Sequence, residues 1–250
     1  MKISAVLIVK DEEKKIKDAL ESVGWANEII VIDSGSSDNT VSIAKNFAAK
    51  VFTAQKTGFW ELRNLGAKKA SGDWILYVDA DERVTPLLRK EITSVADGQF
   101  TAYAIPRKNF ILGQRMRWGG LWPDYVKRFF LKSKFKGWTG ELHEEPHYDG
   151  SLGHLKNPLI HLKHDNFEDM VDKTNKWSEI EARLMFEEHH PPMNIPRFFS
   201  VAFREFWLRM IRQMAFLDGA KGIMYGLYQV FSRLVSYTKL WEMQAQAKRT

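Results

Sequence analysis

The chain has no cysteine in its 250 residues. Structural disulfides and thiolate metal sites are therefore excluded, and nothing requires an oxidising compartment. No uncharged apolar stretch approaches the ~20 residues needed to span a bilayer. The N-terminal apolar run, Ile3 to Val9, is short and leads straight into Lys10-Asp11-Glu12-Glu13 with no small-residue cleavage site. It does not read as a secretory signal, and a cytoplasmic location is the expectation. A glycine-rich dinucleotide loop after the first apolar run is also missing, as is a Walker A motif. There is no internal repeat and no low-complexity tract.

What is present describes a globular chain. Hydrophobic residues make up 44% and aromatic residues 13%, enough for one sizeable core or one domain with an appendage. The net charge of +6 is unevenly placed: residues 191–250 hold nine Lys/Arg against three acids, while residues 1–190 balance at 28 against 28. Inside the balanced region, Ala104 to Trp138 holds nine bases against one acid, Asp124. Two separate basic regions imply two anionic partners, or two portions of one.

The apolar pattern predicts buried strands over Lys2–Val9, Glu28–Ile32 and Trp74–Val78, with a short strand over Val51–Thr53. Helices are predicted over 12–23, 39–49 and 59–70, the second capped by Asp38. This strand–helix alternation predicts a parallel, doubly wound sheet. Between 98 and 165, strand-like pieces (Ala102–Pro106, Val126–Leu131) are separated by loops rich in Gly, Pro and Trp. From Asn166 the period is helical, and two further helices are expected over 197–217 and 222–245, divided by Asp218-Gly219.

The segment from Ser71 to Glu82 is the most informative. A turn leads into the apolar run Trp74–Val78, which ends in Asp79-Ala80-Asp81-Glu82. A parallel strand delivers such carboxylates to the carboxyl edge of the sheet, where open α/β folds bind ligands. Oxygen donors there suit a hard divalent cation that bridges protein and substrate phosphates. The bland alternative is an acidic turn that merely ends a strand. The first strand ends in Lys10-Asp11-Glu12-Glu13 and the second in Asp33 with a Ser/Gly turn, Ser34 to Asp38. Acidic residues repel a bare pyrophosphate, and a metal ion is the simplest way to reverse that. The set fits a metal–nucleotide complex, with Asp33 toward a base or ribose and Asp79 and Asp81 on the diphosphate side.

Together, Val9-Lys10-Asp11-Glu12-Glu13, the run Val31 to Thr40, Arg63-Asn64 with Gly66, Ala70 to Trp74 and Asp79 to Glu82 resemble family-two glycosyltransferases of the GT-A fold. Downstream, Arg128-Phe129-Phe130, Gly140-Glu141-Leu142-His143-Glu144 and Ile160-His161 resemble the branch of lipopolysaccharide-core β-1,4-glucosyltransferases. Asp11 departs from the family, where asparagine is common. The resemblance implies an α/β GT-A doubly wound sheet with a C-terminal helical extension. It divides the chain into a catalytic domain over 1–165 and a helical region over 166–250. Within the catalytic domain, residues 1–97 are expected to bind the nucleotide sugar and residues 98–165 the acceptor.

The same resemblance implies inverting transfer of a hexose, glucose in that branch, from a nucleotide-diphosphate sugar such as UDP-glucose, with Mg²⁺ or Mn²⁺ as cofactor. Donor contacts are expected from Val9, Asp11, Glu13, Asp33, Gly35, Arg63 and Asp79, and metal ligation from Asp79, Asp81 and His161. The acceptor hydroxyl needs a carboxylate base on the face opposite the leaving diphosphate. Glu144 is the candidate, with His143 beside it and Glu141 and Glu145 as alternatives. Asp81 counts as catalytic through the cation, which stabilises charge on the departing diphosphate. The competing readings are a structural imidazole for His161, a loop-orienting hydrogen bond for His143 and a solvated helix arginine for Arg63.

The 104–138 stretch interleaves its bases with Phe110, Trp118, Trp122, Phe129, Phe130 and Trp138. Such a mixture serves nucleic acid, or a phosphorylated sugar whose faces pack on rings and whose phosphates match Arg forks. Its place between the acidic motif and Glu144 favours an anionic, lipid-linked glycan such as lipopolysaccharide inner core, met by Trp122, Arg128 and Glu141. No nucleic-acid partner is expected. Another polysaccharide or a protein acceptor, or a non-enzymatic nucleic-acid or membrane binding module, are the other readings. In the 197–217 helix, Arg197, Arg204, Arg209 and Arg212 share one half beside a wide aromatic face. That suits the inner face of the cytoplasmic membrane, or packing on the catalytic domain.

Overall fold

The structure, a computed structural model, describes residues 1–54, 58–95, 98–141 and 144–247. Its elements form two compact units, Met1–Lys108 with Asp124–His161, and Asn109–Pro123 with Leu162–Thr250. The unit that carries the C-terminal helices takes in the chain from Leu162. It also takes in 109–123, which sequence alone assigns to the acceptor region of the first domain.

In the first unit, β1 (Ile3–Val9) is buried along its whole length. Alternate side chains leave its two faces, as the period of a strand requires. Ala5, Leu7 and Val9 meet α1 (Ile16–Val23), while Val6 and Ile8 meet the side that carries α3 (Phe59–Lys69). The sheet also takes in β2 (Glu28–Asp33), which is followed by α2 (Thr40–Asn46), then β3 (Lys50–Thr53) and β4 (Trp74–Tyr77). These four strands pair in parallel in the order β3-β2-β1-β4.

Beyond β4 the predicted parallel sheet gives way to an antiparallel one. β5 (Glu82–Val84) begins only a short turn after β4, and a parallel return needs a crossover of about a dozen residues or more. β5 therefore lies at the far edge and leads into α4 (Pro86–Val95). The sheet is completed by β6 (Ala102–Ile111), β8 (Asp124–Leu131) and β12 (Leu159–His164), in the order β4-β8-β6-β12-β5. β8 runs antiparallel to β4, and β12 runs antiparallel to β5. β7 (Gln114–Arg115) and β11 (Leu152–His154) pair with β6, and β9 (Phe135–Thr139) with β10 (Glu145–Tyr148) forms a separate ribbon.

One close approach sets the position of α3. A Cβ at Gly66 would stand 2.4 Å from Val6 Cγ1, so only glycine lets this helix settle on β1. In the second unit, α5 (Phe167–Glu187) packs along α7 (Gly219–Ala247), with Thr174 Oγ1 2.6 Å from Tyr228 OH. Between them, the single helix predicted over 197–217 is replaced by α6 (Ile195–Phe206), a π-helical turn (Trp207–Arg212) and a short 3₁₀ turn (Ala215–Asp218).

Candidate active site

The acidic turn is built by β4 and tied by its own backbone. Asp79 N donates to Glu82 Oε2 at 3.0 Å, and Glu82 N donates to the Asp79 carbonyl at 2.9 Å. Glu82 is fully buried, with Arg107 Nη1 at 3.5 Å and Arg128 Nη2 at 3.7 Å from its Oε1. Asp79 is held by two arginines: Arg63 Nη2 donates to Oδ1 at 3.1 Å, and Arg128 Nη2 donates to Oδ2. Burial alone raises the Asp79 carboxyl, but the Arg128 and Arg63 guanidiniums outweigh it and hold the group below the usual carboxylate range.

Arg63 links this turn to the candidate base. Its Nε donates to Glu144 Oε2 at 2.8 Å, so one guanidinium bridges Glu144 and Asp79. The residue is 6% exposed, and its guanidinium carbon lies 5.0 Å from the Trp138 ring centre and 5.7 Å from that of Tyr77. Tyr77 OH donates to the Arg63 carbonyl at 3.0 Å. Trp138 is fixed in turn by Asn64, which donates to its carbonyl at 2.9 Å and accepts from its N–H at 2.8 Å. The neighbouring Gly137 has φ +127°, and a Cβ there would meet Asn64 Oδ1 at 2.9 Å. Glu144 Oε1 is buried and has no hydrogen-bond partner among the described residues. One carboxylate oxygen is clamped, and the other is unpartnered among the described residues.

His161 reaches the site through sheet pairing. Register sets it opposite Glu82 on the β12–β5 ladder, and its Nε2 lies 3.5 Å from Asp81 Oδ2. Burial raises the Asp81 carboxyl, but His161 outweighs this and the group sits below its ordinary value. Asp81 and His161 offer one oxygen and one nitrogen donor on a common side, a pair that fits a divalent cation whose remaining positions come from phosphate and water. No cluster of three or more acidic, His or Cys side chains is assembled for a metal among the described residues. Asp79, also expected as a ligand, has an arginine on each of its oxygens.

At the ends of β1 and β2 the loops are zipped to each other. Ser36 Oγ accepts from Asp11 N at 2.9 Å, Ser37 N donates to Asp11 Oδ1 at 2.7 Å, and Asn39 Nδ2 donates to Glu13 Oε2 at 3.1 Å. The Ser37 hydrogen bonds lower the Asp11 carboxyl. The Val9 carbonyl accepts from Ser34 N at 3.0 Å. Asp33 is 2% exposed and accepts from Gly35 N at 3.2 Å and Ser36 N at 3.1 Å. Its carboxylate holds the Ser/Gly turn. Gly35, at φ +92°, leaves open space where a side chain would stand.

Arg63 is buried, with both ends of its guanidinium on carboxylates. Arg128 is 7% exposed and faces the acidic turn. Trp122 belongs to the second unit, where the Arg115 guanidinium carbon lies 5.4 Å from its ring centre. Glu141 is exposed and Glu145 opens β10 opposite Thr139. His143 lies outside the described residues. Sequence reading missed Glu82 and Arg107 as members of the network. The available signal was slight, since Glu82 stands beside Arg83 in a three-residue strand and Arg107 is followed by Lys108 and Asn109.

The sequence model of glycosyl transferase family 2 matches residues 4–151. The chain belongs to that family. The matched span includes Arg63, the acidic turn, Arg128 and Glu144, and stops before His161. Among relatives, an uncharacterized glycosyltransferase of Rickettsia bellii is 28% identical over 98% of this chain and 88% of its own. The lipopolysaccharide core biosynthesis glycosyltransferase LpsC of Rhizobium meliloti is 22% identical over 99% of this chain and 94% of its own. The crystal structure of S. aureus TarS 1-349 is 16% identical and covers 99% of this chain and 92% of that one, with a TM-score of 0.48. As a family-two glycosyltransferase of the GT-A fold, the protein is an enzyme that moves a sugar from a donor to an acceptor.

Proposed function

We propose that the enzyme transfers a hexose, glucose by the resemblance of its motifs, with inversion from UDP-glucose or a like nucleotide sugar to an anionic, lipid-linked glycan. The observation that carries this reading is the Arg63 bridge, 2.8 Å from Glu144 and 3.1 Å from Asp79. A carboxylate with a spare oxygen stands one side chain away from the acidic turn at the sheet edge. Inversion needs a base on one side of the anomeric carbon and a leaving-group site on the other, and these two groups suit those roles. Glu144 takes the acceptor proton at Oε1 while Oε2 stays held by Arg63. Asp81 and His161 would hold Mg²⁺ or Mn²⁺, which supplies positive charge for the departing diphosphate. Asp79 orients the turn through its two arginines. The lipopolysaccharide-core acceptor is supported by the name of LpsC, and a lipid-linked acceptor brings the enzyme to a membrane surface.

Thermal-shift screening of a nucleotide-sugar panel with Mg²⁺ or Mn²⁺ tests the donor, since a ligand at 100 Kd adds about 2.7 kcal/mol. Asp81→Ala should remove the metal-dependent component of that shift. Glu144→Gln should keep the shift and lower kcat by ~10²–10⁴, the usual worth of a general base. A larger loss in Glu141→Gln, with Glu144→Gln active, would move the base to Glu141. No shift with any nucleotide sugar would overturn the reading.

A further inference from the structure

Soluble helices bury their apolar stripe and show their polar one. α6 does the reverse. At about 100° per residue, Ile195, Phe199, Phe203, Phe206 and Trp207 share one side, and all are exposed, Phe199 and Phe203 at 67% each. The opposite side is buried at Val201 and at Glu205, a carboxylate. A contiguous exposed aromatic face of this kind marks an interaction surface. Ile211 in the π-helical turn and Phe216 after it are exposed as well.

The charges around this face identify its partner. Arg204 and Arg212 are exposed and have no acidic partner among the described residues. The acids of this stretch turn inward: Glu205 Oε1 accepts from Arg209 Nε at 2.7 Å, and Asp218 Oδ2 accepts from Arg117 N at 2.9 Å and Trp118 N at 2.8 Å. Arg209, which the sequence pattern places on the basic face, is thereby removed from it. What remains outside is aromatic and positive. A second copy would set Arg204 and Arg212 against the same charges, whereas an anionic bilayer supplies the complement. No helix among the described residues is long and apolar enough to cross a membrane.

We propose that the outer face of α6 and the turn after it dock in the interface of an anionic lipid bilayer, with Phe199, Phe203 and Trp207 among the acyl chains and Arg204 and Arg212 at the headgroups. This deepens the proposed function, naming the surface that brings the enzyme to a lipid-linked acceptor. It rests on that function for its purpose alone.

The full chain is co-sedimented with phosphatidylglycerol–phosphatidylcholine vesicles and with pure phosphatidylcholine vesicles. Wild type should pellet with the first and be released by raised salt, which screens exposed charge. The pair Phe199→Ser and Phe203→Ser should weaken binding at least ~tenfold, and so should Arg204→Glu with Arg212→Glu, both without a fall in Tm. Equal recovery of wild type in both supernatants overturns the proposal, as does binding unchanged in both variants. A wild-type dimer in sedimentation equilibrium that Phe203→Ser dissociates would assign the face to a second copy. Nucleotide-sugar thermal shifts on the same samples keep the two questions apart. Their absence in a vesicle-binding protein sinks the glycosyl-transfer details and leaves the docking surface standing.

Discussion

Arg63 is the residue on which the site turns, because its planar fork presents rigidly spaced donors to two carboxylates, a geometry that a compact ammonium on a flexible stem does not reproduce. Arg63→Lys keeps the charge and loses the bridge. Glu144 is then free to swing, and misplacement of a reacting group by about 1 Å costs on the order of 10²-fold. The expected result is a kcat lowered by about that factor with donor KM little changed. Arg63→Met removes the charge as well. It leaves Glu144 without its partner while Asp79 keeps Arg128, and should cost about 3–5 kcal/mol of stability. If Arg63→Lys instead raised donor KM alone, the arginine would be a phosphate ligand and the clamp would be wrong.

At the scale of elements, the amino-terminal edge of the parallel sheet is tied by Glu28 at the start of β2. Its Oε1 accepts from Ser4 Oγ of β1 at 2.5 Å and from Ser71 Oγ, ahead of β4, at 2.8 Å. Its Oε2 accepts from Lys50 Nζ of β3 at 2.7 Å. Burial raises this carboxyl, but the Lys50, Ser4 and Ser71 hydrogen bonds outweigh it and bring the pKa from 4.5 down to about 2. A depressed folded-state pKa stabilises the fold above the unfolded value, and that contribution is lost as pH falls from 4.5 to about 2. Glu28→Gln should therefore cost up to ~3 kcal/mol near neutral pH and almost nothing below about pH 2. Urea titrations of both chains across this window check it, and a difference independent of pH would rule out the charge as the cause.

At the scale of the whole molecule, the helices of the second unit pack on one another. The buried face of α5 (Met170, Thr174, Ser178, Ala182) lies along α7, where Glu181 meets Arg233 and accepts from Ser236 Oγ at 2.6 Å. Ending the chain after Asn194 removes that cover. The truncated protein should aggregate or bind hydrophobic dyes strongly, so the lipid question belongs to point substitutions on the outer face of α6. A soluble truncated chain with a normal melting transition would show that α5 does not depend on α7.

Local pattern determined much of this protein. Strand and helix periods marked β1 to β4 and α1 to α3, the Asp79–Glu82 turn was legible as chemistry, and the order of the motifs marked the family. Tertiary structure decided the rest, for a physical reason visible at Arg63 and Glu144. They are 81 positions apart, and their meeting depends on a sheet that turns antiparallel at β8 and on a ribbon that carries Trp138 back over α3. A hydrophobic period reports which face of an element is apolar, but not what that face meets. The period of 197–217 marked an aromatic side and a basic side. Only the packed structure left Phe199 and Phe203 in solvent, because burial belongs to neighbours distant along the chain; the Glu205–Arg209 pair is local, four positions apart, and lies on the side that this packing covers.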